Sequence, residues 1–246
     1  TNFLGTLNIL EAIKHLNQVK RSVIITSDKV YDNSSNKVFR EKDKLGGYDP
    51  YSASKVCAEY LFSSYLNSFF FNSRQKLATA RAGNVIGGGD FSEDRLIPDI
   101  LKYCKKNKKV IIRNPKAVRP WQHVLEPLSG YLLLVENLHK EKLKKIDPSW
   151  NFGPDISSCK NVNYIANYFA KRMKFKIINK IDKKNKNKSE TKMLRLSNLK
   201  AKKYIKWFPK WNLLKTLDKI HEWEVNYHKK RALKICKDQI KDYMSQ

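Results

Sequence analysis

Two short apolar runs, Ser22–Thr26 and Leu77–Ala82, stand on either side of a polar loop and a long helical stretch, and this order constrains the fold more than anything else in the chain. A strand that is apolar at nearly every position needs cover on both faces, the situation of an inner strand in a parallel sheet. Ahead of the first run, Phe3, Leu7, Leu10, Ile13 and Leu16 recur at helical spacing. Between the runs, a loop from Ser27 to Asp49 leads into a helix from Pro50 to about Asn72. Helix, covered strand, helix, covered strand is the order of an α/β fold with a parallel sheet.

Beyond Ala82 the elements shorten. The Gly-rich turn Gly83–Asp90 precedes a helix from about Arg95 to Lys105. Short strands are expected at Lys109–Arg113 and His123–Glu126, and an extended piece at Trp150–Gly153. Helices are expected at Pro127–Leu138, Val162–Arg172, Asn198–Tyr204 and Leu213–Tyr227, the later ones forming a smaller lobe. Lys229–Gln246 reads as an amphipathic helix or a loose tail.

The 246 residues are 41% hydrophobic, enough for one large core or two modest ones. No apolar run reaches the roughly 18 residues that a membrane-spanning helix requires. The opening, Thr1-Asn2-Phe3-Leu4-Gly5, reads as the interior of a longer protein and not as a signal peptide. Cys57, Cys104, Cys159 and Cys236 are scattered, without a CxxC pair. That is the pattern of lone thiols in a reducing compartment, so a cytoplasmic protein is expected, without structural zinc or a disulfide frame. The net charge of +27 raises the question of a nucleic-acid partner. Basic residues are densest between Lys171 and Glu190, where nine Lys and Arg meet two acids among Asn and Ser. Such a run reads as solvated surface, able to steer an anionic substrate but not to specify it.

The chemistry concentrates in two places. In Asp49-Pro50-Tyr51-Ser52-Ala53-Ser54-Lys55, Asp49 suits an N-cap and Pro50 the first helical position. Tyr51 and Lys55 then lie four apart, on one helix face. An ammonium beside a phenol lowers its pKa and makes the phenolate available as a base. Upstream, the first covered strand ends in Thr26-Ser27-Asp28-Lys29, a hydroxyl, a carboxylate and an amine in succession. Ligands of open parallel sheets sit beyond the carboxyl ends of the strands, where these groups fall.

Strand, Ser, long loop and YxxxK in this order resemble the extended short-chain dehydrogenase/reductase family. The chain is most similar to its nucleotide-sugar 4,6-dehydratases and, among these, to the branch acting on CDP-glucose. The resemblance is carried by Thr26–Lys29, Gly46–Ser52, Arg81–Asp90, Asp94–Ile100, Ile112–Pro115, Arg119–Pro127 and Trp150–Pro154, and runs from Thr1 to about Tyr227. It implies a Rossmann-like parallel sheet whose N-terminal strands are missing from this chain, with a smaller C-terminal substrate-binding lobe. Residues 1–126 would be the remainder of the NAD-binding domain with interleaved substrate-lobe segments. Residues 127–227 would be mainly the substrate lobe, and 228–246 a basic tail.

For the chemistry, the resemblance implies NAD as cofactor, with Thr26, Tyr51 and Lys55 holding it, and CDP-glucose as substrate. Tyr51 would take the proton of the sugar 4-hydroxyl while hydride leaves C4, Lys55 would hold the phenol's pKa down, and Ser27 would hydrogen-bond the same hydroxyl. Asp28 would protonate the departing 6-hydroxyl, and Lys29 would take the C5 proton. Related dTDP-sugar dehydratases carry Glu where this chain has Lys29, which favours the CDP branch. Asn84, Arg95, Arg113, Asn114 and Arg119 would bind the nucleotide sugar, with the Arg119 fork suited to its diphosphate. Trp121 and Trp150 are expected in the core, and His123 as a packed, hydrogen-bonded histidine. A homodimer through a helix bundle that includes the Tyr51–Lys55 helix is implied too, as is a place in deoxysugar and lipopolysaccharide O-antigen biosynthesis.

The family's Gly-rich turn that seats a dinucleotide pyrophosphate is not in these residues, so the 246-residue chain alone is expected neither to bind NAD tightly nor to turn over. Two other readings remain open: a related nucleotide-sugar epimerase or reductase, or an inactive remnant or basic binding protein.

Overall fold

The computed structural model describes residues 1–32, 37–105, 110–112, 114–143, 146–179 and 194–246. In chain order the elements begin with α1 (Asn2–His15), β1 (Arg21–Ile25), β2 (Val38–Phe39), α2 (Pro50–Tyr65), β3 (Lys76–Ala82), β4 (Val85–Ile86), α3 (Leu96–Lys105) and β5 (Val110–Ile112). They continue with β6 (Val118–Pro120), β7 (Gln122–His123), α4 (Leu125–His139), β8 (Ser149–Phe152), β9 (Cys159–Asn161) and α5 (Val162–Met173). The last are β10 (Ile177–Asn179), β11 (Arg195–Leu196), α6 (Leu199–Ile205), α7 (Leu213–His228) and α8 (Ala232–Met244). Two compact units divide them.

The first unit comprises Thr1–Gly83, Pro127–Gly153 and Leu194–Phe208. Its sheet has the order β1-β3-β8, with both pairings parallel, from Arg21↔Lys76 to Ile25↔Ala80 and from Thr79↔Ser149 to Ala82↔Phe152. Alternation along β3 sends its side chains to opposite faces. Leu77 joins Leu10, Ile13, Phe62 and Phe70 under α1 and α2. Ala78 and Ala80 join Leu134, Leu138, Trp150, Phe152, Ile205 and Trp207 under α4 and α6. The sheet is therefore covered on both faces, as its apolar strands require, and the fold is α/β with a parallel sheet.

The second unit comprises Asn84–Glu126, Pro154–Met193 and Pro209–Gln246. Ile97 and Ile100 of α3, Ile165 and Phe169 of α5, and Leu217 and Ile220 of α7 form its core beside β5, with Trp121 in the same cluster. Three small ladders among the described residues, β5-β10 and β4-β7 (both parallel) and β6-β9 (antiparallel), complete it. The C-terminal stretch is helical: α8 packs on α7, burying Ile235, Gln239 and Tyr243.

Three expectations change. The domain boundary at 126 does not divide the two units, because α4 and β8 return to the first sheet and pack on Ala78 and Ala80. The helix after Pro50 is α-helical only to Tyr65, and Leu66–Phe70 widens into a π turn. The strand expected at 123–126 ends at His123, and Leu125 already belongs to α4. Much of the basic stretch from Lys171 to Glu190 lies outside the described residues. Among those described, no helix is long and apolar enough to cross a membrane, and no group of His, Cys, Asp and Glu could hold a metal.

Candidate active site

β1 delivers the first set of groups. After Ile25 the chain stays in the sheet for one more bond, Thr26 N to Ala80 O at 2.9 Å, then turns at a short 3-10 segment, Asp28–Val30. Ser27 caps that turn by accepting from Lys29 N at 3.2 Å, and its Oγ donates to Asp28 Oδ1 at 3.0 Å. Ser27 and Asp28 are buried, whereas Lys29 is exposed. The Asp28 carboxylate lies against Gly83, where a Cβ would overlap it. This glycine is thus a matter of space and not of backbone torsion.

α2 delivers the second set. Asp49 caps it, accepting from Ser52 N at 3.0 Å and Ser52 Oγ at 2.6 Å, and Pro50 opens it. Those hydrogen bonds hold the Asp49 carboxyl below its ordinary pKa, and the Lys29 charge adds to them. α2 packs on the 3-10 segment, which brings Lys55 to the carboxyl end of β1 with Tyr51 one helical turn before it. Tyr51 is half exposed, open to a ligand. Lys55 Nζ donates to Ile25 O at 3.3 Å. Burial lowers the Lys55 pKa, and the carboxylate of Glu59 one turn on opposes that shift.

Behind both sets lies a buried polar network. Glu59 of α2 and Arg81 of β3 are each 3% exposed. Arg81 Nε and Nη2 reach Glu59 Oε1 and Oε2 at 2.7 and 2.8 Å. Thr26 Oγ1 donates to Glu59 Oε1 and Thr79 Oγ1 to Oε2. Arg81 Nη1 reaches Tyr31 OH at 2.8 Å and Glu41 O at 2.9 Å, and Tyr31 OH reaches Asn151 Oδ1 at 2.8 Å. Burial alone disfavours the guanidinium, but the Glu59 hydrogen bonds outweigh it and raise the Arg81 pKa. Burial pushes the Tyr31 phenol up to about 12, with the Arg81 charge opposing. It raises the Glu41 carboxyl as well.

Of the groups expected to act, Thr26, Ser27, Asp28, Lys29, Tyr51 and Lys55 are thus brought together in the first unit. The Thr26 hydroxyl, expected to face a cofactor, turns inward to Glu59. The substrate-binding candidates belong to the second unit. Asn84 sits at φ 47° and its carbonyl accepts from Gln122 N at 3.3 Å, joining β4 to β7. Arg95 is exposed at the start of α3, and Asn114 is exposed. Arg119 is half-buried, with Nη1 on Val118 O at 3.0 Å, and Arg113 lies outside the described residues. A cavity of about 280 Å³ in this unit is lined by Asp90, Glu93, Asp99 and Glu224 with Phe91 and Lys102, four carboxyl groups against one ammonium, a wall unsuited to a diphosphate.

Sequence reasoning missed Glu59 and Arg81. A signal existed for both. Arg81 is a charge inside an otherwise apolar strand, which demands a buried partner. Glu59 continues the Tyr51–Lys55 face at the next helical step.

Comparisons with known proteins supply the family. The GDP-mannose 4,6 dehydratase family matches residues 1–220, and the chain belongs to that family. It is 44% identical to the CDP-glucose 4,6-dehydratase of Salmonella typhimurium across its whole length, spanning 70% of that protein. It is 29% identical to the dTDP-D-glucose 4,6-dehydratase of Dictyostelium discoideum, over 63% of this chain and 36% of the other. Among solved structures, dTDP-glucose 4,6-dehydratase from Bacillus anthracis in complex with NAD superposes with a TM-score of 0.76 at 21% identity, over 94% of this chain and 68% of that one. UDP-glucuronic acid 4-epimerase from Bacillus cereus, in complex with its sugar nucleotide and NAD, gives 0.76 at 18%, over 92% and 68%. At those identities the structures establish the fold alone.

Proposed function

We propose that the protein to which this chain belongs carries out the dehydration of CDP-glucose to CDP-4-dehydro-6-deoxyglucose, with NAD as a cofactor regenerated in each cycle. The observation that carries the reading is the meeting of the Tyr51–Lys55 helix with the Ser27-Asp28-Lys29 turn at one strand end. The 44% identity to a CDP-glucose 4,6-dehydratase along the whole chain supports the choice of substrate.

The reactive end of NAD suits these residues. Lys55 spends one hydrogen bond on Ile25 O, and an ammonium has three to give, which leaves donors for a ribose hydroxyl. Held by Tyr51 and Lys55, NAD would supply the hydride acceptor and donor that oxidation at C4 and reduction at C6 of the sugar require. Tyr51, as phenolate, takes the 4-hydroxyl proton, and the neighbouring Lys55 ammonium stabilises that phenolate. Ser27 Oγ holds the same hydroxyl. With a ketone at C4 the C5 proton is acidic, and Lys29 is the base that takes it, a role that requires its amine form when it acts. Asp28, in its protonated form, gives its proton to the 6-hydroxyl, which departs as water. Asn84, Arg95, Arg113 and Asn114 bind the nucleotide sugar, and the fork of Arg119 suits its diphosphate.

The free thiols Cys57 and Cys236 fit a reducing cytoplasm, and the product fits deoxysugar and lipopolysaccharide synthesis. Leu4 and Ile9 of α1, Tyr60 of α2 and Phe71 leave apolar surface exposed, which supports a homodimer through these helices. Sedimentation should give twice the chain mass, and Leu4→Lys with Tyr60→Lys should return it to the monomer.

The test of the function is product mass. The protein at its full encoded length, given CDP-glucose and NAD, should yield a keto sugar lighter by one water, and Tyr51→Phe should abolish it. An unchanged mass with inverted C4 stereochemistry would establish an epimerase in its place.

A further inference from the structure

We infer that the buried Glu59–Arg81 pair is a positioning element that registers the proton-abstracting helix against the eliminating turn. The inference rests on the dehydratase reading and deepens it. Stability is a poor reason for such a pair, because apolar residues of similar volume commonly serve as well or better. Its geometry offers another reason. Glu59 lies one helical turn beyond Lys55, on the face that carries Tyr51. Its two oxygens take four donors, from Thr26 at the end of β1, Thr79 within β3, and Nε and Nη2 of Arg81 in the same strand. That fixes the height and rotation of α2 over the strand end, and with them Tyr51 and Lys55.

The other side of the pair serves the turn. Arg81 Nη1 holds Tyr31 OH and Glu41 O, and Tyr31 closes the 3-10 segment, its N–H reaching Asp28 O at 3.4 Å. Two residues past Arg81, Gly83 provides the space for the Asp28 carboxylate. One guanidinium therefore fixes the acid's turn while the carboxylate it pairs with fixes the base's helix. A reaction that abstracts at the 4-hydroxyl and expels the 6-hydroxyl of one sugar needs both sets held to within a fraction of an ångström.

Two measurements test this. In the first, the lysines of the chain are reductively methylated with ¹³C, Lys55→Arg assigns the Lys55 signal, and NMR follows its titration without substrate. Glu59→Gln should move that titration to lower pH, because the carboxylate opposing burial is lost. If the folded variant titrates as the parent does, the positioning role at Lys55 is refuted. Should Glu59→Gln fail to fold, Glu59→Gln with Arg81→Met removes the stranded charge, and the same titration is read there with the same two outcomes.

In the second, Tyr31→Phe is made in the full-length protein and assayed with NAD and CDP-glucose. Oxidation should persist while elimination lags, so that reduced-nicotinamide absorbance accumulates during turnover. kcat should fall roughly 10- to 100-fold with KM for CDP-glucose unchanged. Normal oxidation without that accumulation, or a loss confined to KM, would overturn the inference. The Lys55 titration needs no sugar nucleotide, so it stands even if the parent protein turns out to act on a different substrate.

Discussion

His123 is 2% exposed, accepts from Leu125 N through Nδ1 at 3.3 Å, and packs its ring 4.8 Å from that of Trp211. Its Nε2 has no partner among the described residues. Burial, and then the nearby Lys219 charge, lower its pKa to about 4. Unfolded, a histidine titrates near 6.5. Between those values the unfolded chain binds the extra proton, so stability is full above about pH 6.5 and declines as pH falls toward 4. The whole shift corresponds to about 3 kcal/mol. Urea unfolding across this window should show the decline in the parent and a flatter curve in His123→Phe. Glu41 and Glu126, whose carboxyls burial raises, act in the opposite sense in both proteins and cancel in the difference. At Gly83 the constraint is steric, and Gly83→Ala must displace the Asp28 carboxylate. Overpacking of this kind costs about 1–3 kcal/mol, and the dehydration rate should fall further than the stability loss explains, read as activity in folded protein.

At the scale of elements, α2 was legible at its start and not at its end. Asp49, Pro50 and the following polar residues form a local cap that needs no tertiary contact. Asp49→Ala should lower stability by about 1 kcal/mol, measured as a shift in denaturation midpoint at unchanged slope. The π turn that ends the helix has no such local mark. Phe70 is drawn into the cluster of Leu10, Ile13, Phe62 and Leu77, and the backbone adapts to that packing. The strand expected at 123–126 failed for a similar reason. Glu126 enters α4 and accepts Lys210 N and Trp211 N at 2.7–3.1 Å, and Tyr243 OH at 2.8 Å, from partners 84 to 117 residues away. Apolar patterning around His123–Glu126 carries no trace of those donors.

At the scale of the whole molecule, the charge of +27 is an electrostatic statement. It attracts an anionic nucleotide sugar over distances that salt screens, with a Debye length near ~8 Å at physiological ionic strength. Raising salt should therefore lower kcat/KM for the sugar nucleotide while kcat changes little, which steady-state assays over a salt series would reveal. Conversely, if kcat/KM is independent of salt, the basic surface has no part in capture. The cores act on a different term. Trp150 is 1% exposed, among Ala78, Ala80 and Phe152, and Trp150→Ala should destabilise the first unit by about 3–5 kcal/mol.

The sequence by itself determined the alternation of covered strands and helices, the cap that starts α2, and the four-residue spacing that puts Tyr51 and Lys55 on one face. Each depends on residues close in the chain, where periodicity and capping act directly. Only the tertiary structure decided that Glu59 meets Arg81, that Gly83 makes room for Asp28, that Thr26 turns inward, and that α4 and β8 return to the first sheet. Those outcomes depend on which side chains share a buried volume after distant segments pack, and a charge or a glycine has the same local signature whatever it will meet there.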